Sequence, residues 1–313
     1  MEAITVKDLV KIYDTGTKAL DGLELCVNEG EVFSLLGSNG AGKSTLINIL
    51  NTFECPTAGE ISIFGIPIQN KKAIRERISC VSQNITLQDH LTMKENFLFQ
   101  CRLYHIEKKE IERRTKKIIR DFQLQEYEND KRPVRYYSGG IKRRIDVAVG
   151  MITNPKILFL DEPTVGMDII ARRELQELIL KIKREYGITV FMTTHYLEEA
   201  DSLSDTICII KDGKKVVQDT PKGLRKYTKS KIIKVRIEDN SRLEEALSYI
   251  CDIEGVANAL IRENGIFIDC GRDTIPLDEI CKQLSQHQIF ILELNSDSAT
   301  LDDIFIDLIE EAK

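Results

Sequence analysis

Hydrophobic and polar positions divide the chain into stretches of different period. The first 33 residues alternate apolar and polar side chains, broken by turn-forming runs at 14–17 and 28–30. Period two with such breaks predicts antiparallel strands. Val32-Phe33-Ser34-Leu35-Leu36, Ile157-Leu158-Phe159-Leu160 and Thr189-Val190-Phe191-Met192 are short and largely apolar, as strands buried on both faces are. Further strands are expected at 61–65, after a turn at 57–60, and at 78–83. Helical spacing takes over elsewhere. Leu46, Ile47, Ile49 and Leu50 mark one helix, and Thr92-Met93-Lys94-Glu95 is a capping box opening another. Ile111, Ile118, Ile119 and Phe122 form a stripe within 107–123. Ser138 is placed to cap a helix carrying Ile141, Ile145, Ala148, Val149 and Ile152 on one face. A helix over 168–186 and a hairpin around Lys211-Asp212-Gly213 complete this region.

From Lys231 the pattern restarts. A strand at 232–237, a helix opened by a capping box at Ser241-Arg242-Leu243-Glu244, strands at 257–262 and 266–270 around Asn264-Gly265, a helix from near Pro276 and a strand at 289–294 follow in order. That succession, βαββαβ, is the ferredoxin-like motif. A last helix, capped by Thr300, would carry Leu301, Ile304, Phe305, Leu308 and Ile309 on one stripe. Charge marks the same break. Residues 225–313 hold 11 basic and 18 acidic side chains, whereas residues 1–224 hold 33 and 32. The expected organisation is a domain over 1–224, with a helical part at about 84–150, and an accessory domain over 225–313.

At 313 residues, 42% hydrophobic and 30% charged, the composition is that of a globular protein. No apolar run approaches the ~20 residues that span a bilayer. The first eight residues lack the apolar core of a signal peptide. The chain is therefore expected in the cytosol, meeting a membrane only through a partner or a surface contact. A net charge of −6 argues against a general nucleic-acid binder. Residues 101–150 are locally basic, with 14 basic and 8 acidic side chains, which suits either a solvated helical face or a surface near anionic lipid headgroups. The eight cysteines form no Cys-x-x-Cys pair and are expected to be reduced and packed.

One stretch carries specific chemistry. Gly37-Ser38-Asn39-Gly40-Ala41-Gly42-Lys43-Ser44-Thr45 reads Gly-x4-Gly-Lys-Ser, a Walker A phosphate loop, between an apolar strand and a helix. Glycines let the backbone close on an anion, successive N–H groups cradle a phosphate, and the helix N-terminus adds positive potential. Lys43 supplies a point charge to the β- and γ-phosphates, and the Ser44 hydroxyl suits Mg²⁺. Asp161 and Glu162 end another apolar strand, at the end where open α/β sheets bind ligands. His195 likewise follows a buried strand. Tyr13, taken alone, is a tyrosine near a turn.

Tyr13, the phosphate loop, Gln83, the Ser138-Gly139-Gly140 cap, Asp161-Glu162 and His195 stand in the order that resembles the ATP-binding subunit of an ABC transporter. Tyr-Ser-Gly-Gly-Ile-Lys-Arg-Arg at 137–144, with Tyr136 preceding, resembles the family signature, with Ile141 where glutamine is usual. The signature and the run Leu-Asp-Asp-Ile-Phe-Ile-Asp-Leu at 301–308 are similar to drug- and antibiotic-resistance exporter subunits. The resemblance covers residues 1 to about 222. It implies an α/β fold: an ABC ATPase core, built of a P-loop NTPase sheet with an antiparallel β subdomain and a helical subdomain, plus a small C-terminal α+β ferredoxin-like domain. It implies ATP and Mg²⁺, with Tyr13 stacking on adenine, Asp161, Ser44 and Gln83 at the metal, Glu162 polarising the attacking water and His195 at the γ-phosphate. Ser138, Gly139 and Gly140 would contact ATP on an opposing protomer, beside a D-loop ending in Asp168. The implied partners are transmembrane permease subunits and a second nucleotide-binding domain, as homodimer or heterodimer, with no nucleic acid. The implied location is the cytoplasmic face of the cell membrane. A non-transport ABC ATPase acting on nucleic acid or ribosomes is the alternative, and this chain lacks the tandem cassette, coiled-coil insertion or zinc module such proteins carry.

Overall fold

A computed structural model describes residues 1–225, 232–256, 258–262, 265–270 and 277–297. The chain separates into two compact units, Met1–Pro221 and Lys222–Lys313. The first opens with the hairpin β1 (Glu2–Ile12) and β2 (Lys18–Asn28), then β3 (Val32–Leu36) and α1 (Lys43–Leu50). β4 (Ala58–Ile63), β5 (Ile66–Pro67), α2 (Lys71–Arg75) and β6 (Ile78–Val81) come next. Helices α3 (Met93–Leu103), α4 (Lys108–Asp121) and α5 (Gly139–Met151) follow. β7 (Ile157–Asp161), α6 (Ile169–Tyr186), β8 (Thr189–Thr194), α7 (Leu197–Leu203), β9 (Thr206–Lys211) and β10 (Lys214–Asp219) complete the unit. A one-turn helix, α8 (Pro221–Leu224), lies at the boundary.

Two sheets organise this unit. One is antiparallel, in the order β2-β1-β4-β5; the other runs β10-β9-β3-β8-β7-β6, parallel except for β10. Strand alternation divides the core between the two faces of the larger sheet. Phe33, Phe159 and Phe191 point one way, their rings 5.1 and 5.5 Å apart in sequence across the strands, and pack with α1 and the antiparallel sheet. Leu158, Leu160, Val190 and Met192 point the other way, into a core shared with α3 to α6. An apolar run with no polar alternation is the consequence of burying both faces. α3 opens on the expected Thr92–Glu95 capping box.

The expected turn at 57–60 is a correction: residues 58–60 belong to β4. Gly59 stands there because β1 crosses closely, and a Cβ would lie 2.5 Å from the Asp8 carbonyl oxygen. A glycine admitting a neighbouring backbone looks, in sequence, like one making a turn.

The second unit contains β11 (Ile232–Ile237), α9 (Leu243–Cys251), β12 (Asn258–Arg262), β13 (Gly265–Asp269), α10 (Leu277–Gln286) and β14 (Ile291–Asp297). The antiparallel order β12-β13-β11-β14 is the ferredoxin-like sheet, with Ile233, Val235, Ile266, Ile268, Ala246 and Ile280 in its core. The capping box expected at Ser241 is not formed. Asp239 accepts from the Ser241 N–H and opens a short 3-10 turn over Asn240–Arg242, and α9 starts after it without a side-chain cap. The expected helix start near Pro276 and the last helix from Thr300 lie outside the described residues.

Candidate active site

β3 is buried along its whole length between β8 and β9, so its carboxyl end delivers the loop at 37–42 to one edge of the parallel sheet. Gly42 is the N-cap of α1, in the left-handed region at φ 104° and ψ 4°, and no side chain caps the helix. Its first N–H groups are therefore free of side-chain acceptors, as an anion site at a helix start requires. Ser38, Asn39 and Gly40 are exposed, Ala41 and Gly42 are buried, Ser44 is exposed and Thr45 half-buried. Lys43 is 6% exposed and folds over the loop, donating to the carbonyls of Gly37 (2.7 Å) and Ser38 (3.2 Å). Burial pushes its pKa below the usual lysine value, and the charges of Glu162 and Asp161 oppose that shift. The Tyr13 hydroxyl lies 3.2 Å from Thr45 Oγ1 and donates to Glu54 at 3.2 Å, while Lys11 Nζ sits 5.0 Å from the ring centroid. Tyr13 thus stands beside the start of α1.

β7 brings Asp161 and Glu162 to the same edge, separated from β3 by β8. Glu162 is the centre of a cluster. Its carboxylate lies 3.8 Å from Lys43 Nζ and 3.4 Å from His195 Nδ1, and accepts from Gln83 Nε2 at 3.3 Å. His195 is partly exposed and its ring lies 4.2 Å from that of Tyr196. Glu162 itself has φ 43°, uncommon for a residue with a β-carbon. Gly37–Thr45, Gln83, Asp161, Glu162 and His195 are therefore gathered in one place from four separate segments.

Ser138 accepts from the Ile141 N–H at 3.3 Å and caps α5 as expected, and Asp168 caps α6 through the N–H groups of Ile170 and Ala171. The two helix starts pack closely, since a Cβ on Gly140 would lie 2.7 Å from that of Ala171. Ser138, Gly139 and Asp168 stand on these helix starts and not in the cluster around Glu162.

Two residues the sequence did not single out hold the segment that carries the carboxylates, one at a side chain and one at the backbone. Thr193, fully buried, donates to Asp161 Oδ1 (2.6 Å) and accepts from the Glu162 N–H (3.0 Å). A hydroxyl at the end of an apolar strand was the available signal, but its partner follows only from the register pairing Asp161 with Thr193. Arg143, 4% exposed, donates to the carbonyls of Ser82, Asp161, Glu162 and Pro163. Nothing in sequence separates it from Lys142 and Arg144 beside it. Glu199 is a third buried polar group, accepting from the Thr194 hydroxyl at 2.6 Å.

A glycine-rich loop running into a helix, its lysine turned toward a strand-end carboxylate pair on a parallel sheet, defines a phosphate-loop nucleoside triphosphatase. The family model described as ABC transporter matches residues 20–165. The daunorubicin resistance ATP-binding protein DrrA3 of Streptomyces coeruleorubidus is 34% identical over 316 residues, spanning 98% of this chain and 95% of its own. The structure of cbiO1 from Clostridium perfringens, part of an ABC transporter complex, matches with a TM-score of 0.67 and 29% identity over 72% of this chain and 91% of that one. A dimeric ATP-binding cassette in a post-hydrolysis state bound to ADP and Pi matches with a TM-score of 0.62 and 28% identity, over 70% of this chain and 98% of its own. The chain belongs to the ABC transporter family, as an ATP-binding and ATP-hydrolysing subunit.

Proposed function

We propose that this chain hydrolyses ATP to energise export of a drug, antibiotic or lipid-like molecule by a separate transmembrane permease. The observation that carries the site assignment is the convergence of Lys43, Gln83 and His195 on the Glu162 carboxylate. In this assignment the N–H groups of Gly37–Thr45 and Lys43 hold the β- and γ-phosphates, and Tyr13 offers its ring to adenine. Glu162 orients the attacking water and takes its proton, with His195 placed to keep the γ-phosphate in line. Lys43 then offsets the charge that develops on the transferring phosphoryl group.

The donor set suits Mg²⁺. Asp161, Ser44 and Gln83 offer hard oxygens, and among the described residues no group of three His, Cys, Asp or Glu could hold a metal alone. That is the pattern for an ion held by one carboxylate together with substrate phosphates. When bound, Mg²⁺ would neutralise phosphate charge.

Ser138–Gly140 begin α5 away from the Glu162 cluster, which supports a role toward nucleotide held by a second copy or a paralogue, with Asp168 at the same face. No helix among the described residues is long and apolar enough to cross a membrane. In this reading a transmembrane partner supplies the path and this chain sits against the cytoplasmic face. The export role draws on relatives named for daunorubicin and doxorubicin resistance.

Glu162→Gln keeps the side chain's shape and removes its charge. It should bind ATP, lose about 100-fold or more of its turnover and accumulate as an ATP-bound dimer by light scattering. Turnover at the wild-type rate would remove Glu162 from the mechanism.

A further inference from the structure

Arg143 lies near the start of α5, with its guanidinium in the interior of the first unit. Nε donates to the Pro163 carbonyl at 2.8 Å, Nη1 to Ser82 at 2.5 Å, and Nη2 to Asp161 at 3.2 Å and Glu162 at 3.4 Å. Four carbonyls from two segments meet one planar group, a pattern that a fork of fixed donors satisfies and a lysine cannot. Three of those carbonyls bracket Glu162, whose φ of 43° is disfavoured by its own β-carbon. Backbone in that region persists only where its surroundings over-determine it. The fourth carbonyl, of Ser82, immediately precedes Gln83.

One turn further along α5, an Asp146 oxygen lies 3.6 Å from Arg143 Nη1. The Asp146 carboxylate also accepts from the Thr86 hydroxyl at 2.7 Å and the Thr86 N–H at 3.3 Å. The segment carrying Gln83 is thus fastened to α5 at both ends, at Ser82 through Arg143 and at Thr86 through Asp146. The same helix begins at Ser138, Gly139 and Gly140.

We propose that Arg143 and Asp146 are a positioning pair that ties the backbone around Glu162 and the segment 82–86 to α5. A displacement of α5 then moves the Glu162 carboxylate and the Gln83 amide together. Neither residue touches substrate; both act through Glu162 and Gln83. This rests on the assignment of Glu162 as the hydrolytic carboxylate.

The test measures steady-state ATP turnover and calorimetric ATP binding on the full chain. Arg143→Met should lower kcat by about 10- to 100-fold, the loss expected when hydrogen bonds from a charged group are removed, while KM for ATP stays within about threefold. Arg143→Lys should recover part of the loss. Thr86→Val, at an exposed residue, should lower kcat several-fold. In a Glu162→Gln background, Arg143→Met should cause a smaller fold-loss than in the wild type, because the part of its effect that passes through the Glu162 side chain is already gone. The same fold-loss in both backgrounds would overturn the proposal, as would a raised KM with unchanged kcat. Should Arg143→Met fail to fold, wild-type kcat in both Arg143→Lys and Thr86→Val overturns it, and a drop in both supports it. The two assignments separate cleanly: fast Glu162→Gln removes the catalytic role of Glu162, whereas slow Glu162→Gln with fast Arg143→Met removes only the positioning pair.

Discussion

Adding one methyl group at Gly42 probes the phosphate loop where backbone conformation and tertiary contact coincide. Gly42 holds φ 104° at the start of α1. Left-handed backbone costs a residue with a β-carbon about 1–2 kcal/mol. The methyl would also stand 2.6 Å from the Ala19 carbonyl oxygen and 2.7 Å from Leu20 Cδ2, whereas carbon–oxygen contacts begin near ~3.3 Å. β2 cannot readily retreat, because Leu20 is fully buried and paired with Lys11 of β1. Overpacking of this kind adds about 1–3 kcal/mol. Gly42→Ala should therefore lose about 2–5 kcal/mol of stability. Gly40 provides the control. Its φ is 83°, yet no atom lies within 4 Å of its Cβ position, so Gly40→Ala carries only the backbone strain, about 1–2 kcal/mol. Urea unfolding of the two variants, read as midpoints at unchanged m-value, isolates the contact with β2. Calorimetry should show the greater loss of ATP affinity in Gly42→Ala, since relieving the clash shifts the start of α1 and Lys43 with it. Equal destabilisation of the two variants, or a wild-type midpoint for Gly42→Ala, would refute the reasoning.

Thr193→Val keeps volume but strands the Asp161 carboxylate and the Glu162 N–H, so it should lose about 1–3 kcal/mol and slow turnover; wild-type behaviour in both assays would leave the hydroxyl without a role. Burial holds the Glu199 carboxyl above its ordinary 4.5, so the folded chain keeps that proton more tightly than the unfolded chain. Its contribution is full below 4.5 and is lost as pH rises through the raised native value, and Glu199→Gln should flatten that decline. Parallel stability–pH curves for the two proteins would count against it. A chain of residues 1–224 should fold and bind ATP with the affinity of the full chain; a folded fragment that does not bind would tie the site to the rest of the sequence.

Much of the site was legible because its parts are local. The phosphate loop occupies one strand-turn-helix, and the caps at Thr92 and Ser138 each lie within a single turn of their helix. Short-range bonds decide such features, so residue type and spacing suffice. Tyr13 was different: spacing alone said little, and its place beside Thr45 depends on how β1 passes α1. Gly59 was misread because a glycine that admits a neighbouring strand and one that makes a turn have the same letter. At Ser241 a competing local bond won, since Asp239 accepts from the backbone first and delays the helix.

By itself the sequence determined a phosphate-binding loop, carboxylates at a strand end and a second unit of βαββαβ order, because each is written within a few turns of chain. Tertiary structure decided which groups those carboxylates meet. Sheet order places β8 between β3 and β7, and register sets Thr193 opposite Asp161. Packing of α5 turns one arginine among three basic neighbours into the holder of four carbonyls. Such partners are far apart in sequence, and their meeting depends on how whole elements align across the core. No local pattern of residue types records that alignment.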